Sequence, residues 1–325
     1  MDSTVDGATA VAVDQGKSGT RAEASVASGA RVHATAPGIA RGSEPGSTGI
    51  DAVVEAVAGL RLPRRPNVVS VGTTAAPATQ EERHELAAIL RDRLGVDQVL
   101  VTEDAVTAHL GAFHDAPGVV VSAGTGAIAL WSDGRTCARI DGWGPYLGDH
   151  GSGAAIGRAG LRAAFSSADG RGAATSLTAA ARVHLGGLGL DAARRLQAAT
   201  NPTEIISAFA VTVLRAAEDG DPIASSITAR AADDLATSAA LAARAAIAAG
   251  VPTVCCVVGQ LIRSTALRTS FTQRATQLGL TVGQPKGGAL AGAMALATTG
   301  PPAAFAPFVG VAGATRPAEV DRALR

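Results

Sequence analysis

The stretch Val11-Ala12-Val13-Asp14-Gln15-Gly16-Lys17-Ser18-Gly19-Thr20 joins an apolar run to a turn rich in glycine and hydroxyl side chains. The apolar run predicts a buried strand, and the glycines let backbone amides approach a phosphate closely. A second turn of this kind follows another apolar run, Val119-Val120-Val121-Ser122-Ala123-Gly124-Thr125-Gly126. Two such units, about a hundred residues apart, predict two facing phosphate-binding loops and a nucleotide-dependent phosphotransferase.

Lysine use in the chain supports this interpretation. Lys17 and Lys286 are the two lysines among 28 basic residues, and both lie in glycine-rich turns. We therefore predict that each lysine lies where the backbone can crowd a phosphate.

Composition bounds the class of protein. A chain of 325 residues can bury two cores, and zero net charge predicts no attraction to nucleic acid or to an anionic membrane. The N-terminus does not resemble a signal peptide, and no apolar run is long enough to predict a membrane span. Cys137, Cys255 and Cys256 cannot form a disulfide framework. We expect a reduced, cytoplasmic α/β protein, and a homodimer stays open.

The predicted order of elements repeats. In the first half, strands are expected at residues 11–13, 22–28, 32–36, 68–71 and 99–102, with helices at 51–60 and after the capping box that begins at Thr79. In the second, strands are expected at 119–121, 128–131, 137–140, 254–258 and 280–282, with helices at 153–165, 177–185, 190–199, 204–219, 223–249, 261–278 and 288–297.

This β-β-β-α-β-α-β order is that of a ribonuclease-H-like domain, the unit duplicated in the actin and sugar-kinase superfamily. The expected fold is therefore two such domains with an interdomain cleft. Residues 1–115 are predicted to form the first domain, and residues 116–300 a larger second domain with a helical insertion. Residues 301–325 are predicted to be a C-terminal tail that packs on the surface.

Two carboxylates are candidates for chemistry in the first half. Asp14 ends a strand and can hold a hydrated Mg²⁺ that bridges nucleotide phosphates, while Gly16, Ser18 and Thr20 offer phosphate donors. Asp104 ends another strand and is predicted to be the general base for a hydroxyl nucleophile. The alternative for Asp104 is an N-cap of the helix that follows, and the two roles are compatible.

Residues 141–153 concentrate rare residue types. They include Trp143, the single tyrosine (Tyr146), five glycines, and the pair Asp149 and His150. Glycines let backbone approach a ligand, and Asp149 and His150 can hydrogen-bond sugar hydroxyls. A structural turn before a helix that starts at Gly153 is the alternative.

Gly142-Trp143-Gly144, Leu147-Gly148-Asp149 and Gly151-Ser152 resemble the signature of the N-acetylglucosamine kinase and BadF/BadG/BcrA/BcrD ATPase family. The resemblance extends to the Asp14 turn, residues 102–105, 118–126 and 257–259, and the helix from Gly288. It departs at His150, where that family usually has glutamate, at Lys17, which stands where a glycine is usual, and at Gln260.

The resemblance implies an ATP- and Mg²⁺-dependent kinase that phosphorylates the 6-hydroxyl of an amino sugar, with Asp104 as the base. The predicted sugar-binding residues are Thr73, Thr74, Asp104, Thr125, Gly126, Asp149 and His150. The predicted ATP-binding residues are Gly16, Lys17, Ser18, Thr20, Gly124, Thr125, Gly259, Gln260 and Lys286. Asp14 is the predicted metal ligand.

The identity of the substrate stays open at this stage. Glucosamine is favoured over N-acetylglucosamine, because carboxylates near the site suit an ammonium group. An ATPase that activates a reductase through an iron–sulfur cluster is disfavoured by the few cysteines. A non-catalytic sugar sensor is disfavoured because Asp104 is present and no DNA-binding extension is recognised.

Overall fold

A computed structural model describes residues 10–17, 19–25, 31–39 and 47–313. The strands in chain order are β1 (Ala10–Gln15), β2 (Thr20–Ser25), β3 (Arg31–Ala36), β4 (Val68–Thr73), β5 (Gln98–Glu103), β6 (Gly118–Ala123), β7 (Ala127–Ser132), β8 (Cys137–Asp141), β9 (Thr253–Val258), β10 (Leu280–Gly283) and β11 (Gly310–Ala312). The helices are α1 (Ser47–Gly59), α2 (Gln80–Leu94), α3 (Asp104–Phe113), α4 (Gly153–Ala168), α5 (Leu177–Leu185), α6 (Leu190–Ala198), α7 (Pro202–Ala208), α8 (Ala210–Glu218), α9 (Pro222–Ala242), α10 (Arg244–Ala248), α11 (Thr265–Gln277) and α12 (Ala289–Thr299).

The chain divides into two units. The first takes the residues up to Ala116, Gly134–Thr136 and the residues from Lys286 onward, and the second takes Pro117–Asp133 and Cys137–Pro285. The chain thus leaves the first unit, builds the second, and returns to complete the first.

The sheet of the first unit has the strand order β3-β2-β1-β4-β5-β11. Strand β1 is antiparallel to β2 and parallel to β4, which is parallel to β5. Alternate residues of the central strands, such as Val11, Val13 and Val69, pack with Val53 of α1 and Leu90 of α2. The central strands are buried on both faces, as parallel strands covered by helices usually are.

The second unit repeats this arrangement. Its sheet has the order β10-β9-β6-β7-β8, so β6, β7, β8, β9 and β10 take the places of β1 to β5. Its core is rich in small residues, which let α9 pack closely through Ala232, Leu235, Ala236 and Ala239. The shared strand order confirms the predicted duplication.

Helices differ from prediction in three places. The helix expected over 261–278 begins with a separate 3₁₀ turn, Leu261–Arg263, which precedes α11. The helix expected over 204–219 is α7 followed by α8, with a break at Phe209, whose buried side chain belongs to the core. The backbone N–H of Phe209 bonds to the Ile206 carbonyl, a tighter turn than an α-helix makes. The helix expected over 223–249 likewise breaks at Ala243 between α9 and α10.

The predicted capping box is confirmed. The Thr79 side chain accepts from the Glu82 amide, and the Glu82 carboxylate accepts from the Thr79 amide. The Thr79 amide and the Thr79 hydroxyl both donate to the Glu82 carboxylate, and they hold the pKa of Glu82 below its usual value. Cys255 and Cys256 are buried in β9, as expected of core residues.

The predicted boundary after residue 115 lies one residue from the observed division after Ala116, whereas the end of the chain is placed differently from prediction. Helix α12 packs on α3 and belongs to the first unit, and β11 pairs with β5 at the edge of the first sheet. Phe305 is 1% exposed and meets the His109 ring edge-on at 5.2 Å. Residues 301–313 therefore belong to the first unit and contribute buried side chains to it, such as Phe305 and Val309, while 314–325 lie outside the described residues.

Within the described ranges, no helix combines the length and the apolar character needed to cross a membrane.

Candidate active site

The first unit brings its predicted residues to one edge of the sheet. In register, Asp14 of β1 lies beside Gly72 of β4, which lies beside Thr102 of β5, and Gln15 lies beside Thr73. Because these strands are parallel, their carboxyl ends meet at this edge. Asp104 follows β5 there directly, as the first residue of α3.

Glycines position the helix that carries Asp104. A Cβ on Gly72 would clash with the Thr107 hydroxyl, and a Cβ on Gly292 of α12 would clash with the Thr107 carbonyl. The absence of side chains at these two positions lets β4 and α12 press against the first turn of α3. Asp104 is thereby held on a rigid, close-packed element.

The environment of Asp104 disfavours its charged form. Burial is the largest cause, and the negative charges of Asp14 and Glu103 act in the same direction. The Ala105 amide and the positive charge of Lys17 oppose them, and the net effect raises the pKa of Asp104 to about 6. A carboxylate with such a pKa is a stronger base than an ordinary aspartate and is still ionised at neutral pH.

The first glycine turn is closed by its own backbone. The Gly16 amide donates to the Gly19 carbonyl at 2.9 Å, and the Ile39 amide donates to the Gly16 carbonyl at 3.2 Å. Lys17 is half-buried in this turn, and its charge acts on Asp104. Asp14, Gly16, Lys17 and Asp104 are therefore gathered in one place, as the sequence predicted.

Gln15 lies among the candidate site residues and was not singled out by the sequence argument. Its side chain is buried, accepts from the Thr73 hydroxyl at 2.9 Å and donates to the Gly49 carbonyl at 2.6 Å. It ties the first turn to β4 and α1. Its position between Asp14 and Gly16 was a signal, since an amide there can bond in both directions.

Three predicted phosphate donors need separate comment. The hydroxyl of Thr20 is fully buried and donates to the Pro37 carbonyl at 2.8 Å, so it is not available to a phosphate in this structure. Ser18 lies outside the described residues. The backbone of Lys286 donates to the Ala112 carbonyl, about 12 Å along α3 from Asp104 at 1.5 Å per residue.

Asp14 lies close to a second negatively charged side chain, which suits its predicted role as a metal ligand. Its carboxylate is largely buried, accepts from Arg21 and is close enough to Asp104 to raise the pKa of that group. A bound cation would reduce the repulsion between these two neighbouring carboxylates. Among the described residues, no group of three or more His, Cys, Asp or Glu side chains could hold a metal ion by itself.

In the second unit, the glycine turn after β6 contacts the start of α4. The Gly124 amide donates to the Gly126 carbonyl at 2.9 Å, and the Gly153 amide donates to the Gly124 carbonyl at 2.8 Å. Ser152 caps α4 by accepting from the Ala155 amide. The turn therefore lies at a helix N-terminus, where backbone amides favour an anion.

Asp149 lies against this turn. A Cβ on Gly126 would come within 2.8 Å of the Asp149 carboxylate, so glycine leaves room for that side chain. Asp149 is 7% exposed and has a left-handed backbone, with φ of 58°. The structure thus places Thr125, Gly126 and Asp149 together, as predicted.

His150 is more exposed and has a partner that the sequence did not reveal. Its Nδ1 lies 3.1 Å from the carboxylate of Asp141, at the end of β8, and its side chain is 63% exposed. One ring nitrogen therefore faces Asp141.

The predicted ATP-binding residues Gly259 and Gln260 follow β9 of the second sheet. Strands β6 and β9 are parallel, and Ser122 pairs with Val258, so Gly259 follows β9 near the Gly124 turn. Gly259 has φ of 112°, and a Cβ there would clash with the Ala123 carbonyl. Gln260 is exposed.

Two predicted sugar-binding threonines lie in the first unit. Thr73 is buried and its hydroxyl bonds to Gln15, whereas Thr74 beside it is exposed.

A protein-family model ties these features to known proteins. The model described as the BadF/BadG/BcrA/BcrD ATPase family matches residues 13–282, which include both glycine turns, Asp104 and the segment from Asp141 to Ser152. The chain belongs to the BadF/BadG/BcrA/BcrD ATPase family. This membership confirms the resemblance noted in the sequence.

One curated relative is a sugar kinase. This chain is 34% identical over 113 residues to an N-acetylmuramic acid/N-acetylglucosamine kinase of Clostridium acetobutylicum, and the match covers 34% of this chain and 36% of that protein. The chain thus matches about a third of the length of that curated relative.

Solved structures show the same fold. A candidate N-acetylglucosamine kinase from Chromobacterium violaceum has a TM-score of 0.72 at 24% identity, over 90% of this chain and 99% of that one. A candidate N-acetylglucosamine kinase from Porphyromonas gingivalis has a TM-score of 0.65 at 21% identity, over 87% and 96%. These likenesses confirm the α/β fold of the BadF/BadG/BcrA/BcrD family member.

Proposed function

We propose that this protein is an ATP-dependent kinase that phosphorylates a hydroxyl of an N-acetylated amino sugar. The observation that carries the proposal is Asp104, a carboxylate with a raised pKa at the strand edge where Asp14 and Lys17 also lie. Membership of an ATPase family supports ATP as the phosphoryl donor.

In the proposed reaction, Asp104 takes the proton of the sugar hydroxyl while the oxygen of that hydroxyl bonds to the γ-phosphorus of ATP. The bond from that phosphorus to the β,γ-bridging oxygen breaks, and ADP leaves. Lys17 and the amides of the first glycine turn would hold phosphate oxygens, while Asp149 would accept from sugar hydroxyls. Asp14 would hold Mg²⁺, which neutralises phosphate charge when bound.

The acetylated sugar replaces glucosamine as the favoured substrate. Glucosamine was favoured because carboxylates such as Asp104 and Asp149 suit an ammonium group, but carboxylates bind the hydroxyls of any sugar equally well. The curated relative is described as acting on two acetylated amino sugars, N-acetylmuramic acid and N-acetylglucosamine. The 6-hydroxyl as acceptor remains part of the proposal.

The reductase-activator alternative gains no support from the cysteines. Cluster ligands are thiolates, whereas burial in β9 raises the pKa of the Cys255 and Cys256 thiols.

A coupled ADP-release assay tests the proposal. The panel comprises N-acetylglucosamine, N-acetylmuramic acid, glucosamine, N-acetylmannosamine and glucose, each with ATP and Mg²⁺. We expect release of ADP to depend on an acetylated amino sugar, with a phosphosugar as the second product. ADP release at the same rate without any sugar would point to an ATPase instead.

The variant Asp14→Asn is expected to need more Mg²⁺ for half-maximal turnover, with sugar affinity little changed. Because the charge of Asp14 raises the pKa of Asp104, its loss should also move the midpoint of the pH–rate profile to lower pH. Turnover is measured against Mg²⁺ concentration and against pH.

Glu23→Gln is the matched control for Asp14→Asn. Glu23 is a buried carboxylate of the neighbouring strand β2, paired with Arg31 and close to His33. It should leave both the Mg²⁺ dependence and the pH midpoint unchanged. An unaltered Mg²⁺ dependence in Asp14→Asn would remove Asp14 from the metal role.

A further inference from the structure

Asp141 has an unusual place in the second unit. It ends β8 with a left-handed backbone, φ of 66°, and is 7% exposed. Its carboxylate accepts from the backbone amides of Gly142 at 2.8 Å, Asp149 at 2.7 Å and His150 at 2.7 Å. One side chain therefore bonds to both ends of the segment 142–150.

These bonds close the base of a loop. The Gly148 amide donates to the Gly144 carbonyl at 2.9 Å, and a Cβ on Gly148 would clash with the Asp141 carboxylate. The residues between the two ends are open to solvent, with Trp143, Tyr146 and Leu147 at least 68% exposed. The loop is therefore fixed at its base, where Asp149 lies, and free of core packing at these three residues.

Asp149 needs such support. A left-handed backbone is unfavourable for a residue with a Cβ, and it persists only where the surroundings compensate for it. The bond from the Asp149 amide to Asp141 acts on the strained residue itself. The side chain that this backbone directs lies against Gly126, in the turn predicted to bind phosphate and sugar.

We propose that Asp141 is a positioning residue: its carboxylate sets the backbone of Asp149 and so aims the Asp149 side chain at the amino sugar. The inference deepens the proposed function and rests on it for the identity of the ligand. The bond from Asp141 to the His150 ring is a secondary consequence, because two backbone amides are held whether or not the ring is present.

The test compares Asp141→Asn and Asp141→Gly with His150→Gln. Asparagine presents one accepting oxygen and turns its NH₂ donors toward backbone amides. Glycine removes the carboxylate yet tolerates a positive φ, so Asp141→Gly keeps the fold accessible. His150→Gln leaves the Asp141 carboxylate on the loop amides and removes the imidazole.

Both Asp141 variants are expected to weaken sugar binding about 10-fold or more, as a misplaced binding group does, with KM for ATP within about 2-fold. His150→Gln is expected to change sugar affinity less than either. Binding of N-acetylglucosamine and N-acetylmuramic acid is measured by calorimetry, and turnover by the coupled assay. Equal losses for sugar and ATP would overturn the inference, since a general loosening of the fold affects both.

A double-mutant cycle tests whether Asp141 acts through Asp149. In an Asp149→Asn background, Asp141→Gly should have an effect of about 2-fold or less on sugar binding, because the group it positions is already changed. The same 10-fold loss in both backgrounds would overturn the inference.

Amide hydrogen exchange gives a readout that needs no sugar. In the wild type, the Asp149 and His150 amides are expected to be protected, and Asp141→Gly should remove that protection while amides of β6 stay protected. Equal exchange at residues 149 and 150 in the two proteins would overturn the positioning role. Protection lost in the variant, with a wild type that phosphorylates none of the sugars, would support the role of Asp141 and reject the proposed function.

Discussion

Replacement of Asp104 by asparagine is expected to lower kcat by about 10²–10⁴-fold while the sugar still binds. Asparagine keeps the size of the side chain and its place at the start of α3, but it cannot accept a proton from the nucleophilic hydroxyl. Single-turnover measurements of phosphosugar formation, with calorimetry of sugar binding, separate chemistry from binding.

Glu103→Gln is the matched control for this variant. Glu103 adjoins Asp104 and its charge raises the pKa of Asp104, so the control should lower the pH midpoint and retain turnover. Near-normal kcat in Asp104→Asn would remove Asp104 from the role of base.

The raised pKa of Asp104 also makes a prediction about pH. Since the base must be ionised, turnover should rise with pH through a midpoint near the pKa of about 6.

The free energy of unfolding should change in the opposite direction and fall as pH rises. A folded-state pKa above the unfolded value favours the protonated form, so this contribution to stability is present at low pH and lost as pH rises through about 6. Asp104→Asn should therefore be more stable than the wild type at pH 8, and the difference should shrink as pH falls and vanish below the unfolded-state pKa of 3.8.

Replacement of Phe305 by alanine is expected to cost about 3–5 kcal/mol in the free energy of unfolding. The side chain is 1% exposed and packs on His109 of α3, so its removal leaves a cavity in the first unit. Urea unfolding followed by circular dichroism measures the loss. Phe308→Ala is the matched control, because Phe308 is only half-buried and should cost less. A loss for Phe305→Ala as small as that of an exposed position would contradict the role of Phe305 in the core of the first unit.

The sequence was a good guide to the fold where its signals are local. Alternating apolar runs predicted the strands, and the Thr79 capping box predicted the start of α2. The return of the chain to the first unit was not visible, because it depends on pairing between β11 and β5, which lie about 200 residues apart. Three prolines after residue 300 suggested a loose tail, yet prolines are compatible with a buried segment that needs few backbone donors.

The sequence predicted where the carboxylates and glycines of the candidate site lie better than it predicted the bonds of the hydroxyl groups. Asp14, Lys17 and Asp104 interact electrostatically within the first unit, as the ends of parallel strands require. The Thr20 hydroxyl instead donates to the Pro37 carbonyl, because a hydroxyl in a turn can bond to a nearby carbonyl as easily as to a ligand. The sequence did not indicate a role for Asp141, because its proposed role depends on which backbone amides its carboxylate bonds to, and only the structure shows them.

The split of the first unit has a consequence for its synthesis on the ribosome. Nine of the ten residues of α3 are buried, and α12, which covers this helix, lies beyond the whole second unit in the chain. At roughly 5–20 residues per second, the nascent chain waits on the order of ten seconds or more before that cover emerges. During this interval the second unit can be complete while the apolar surface of α3 is still uncovered, so the first unit, although translated first, is completed only after the second has been synthesised.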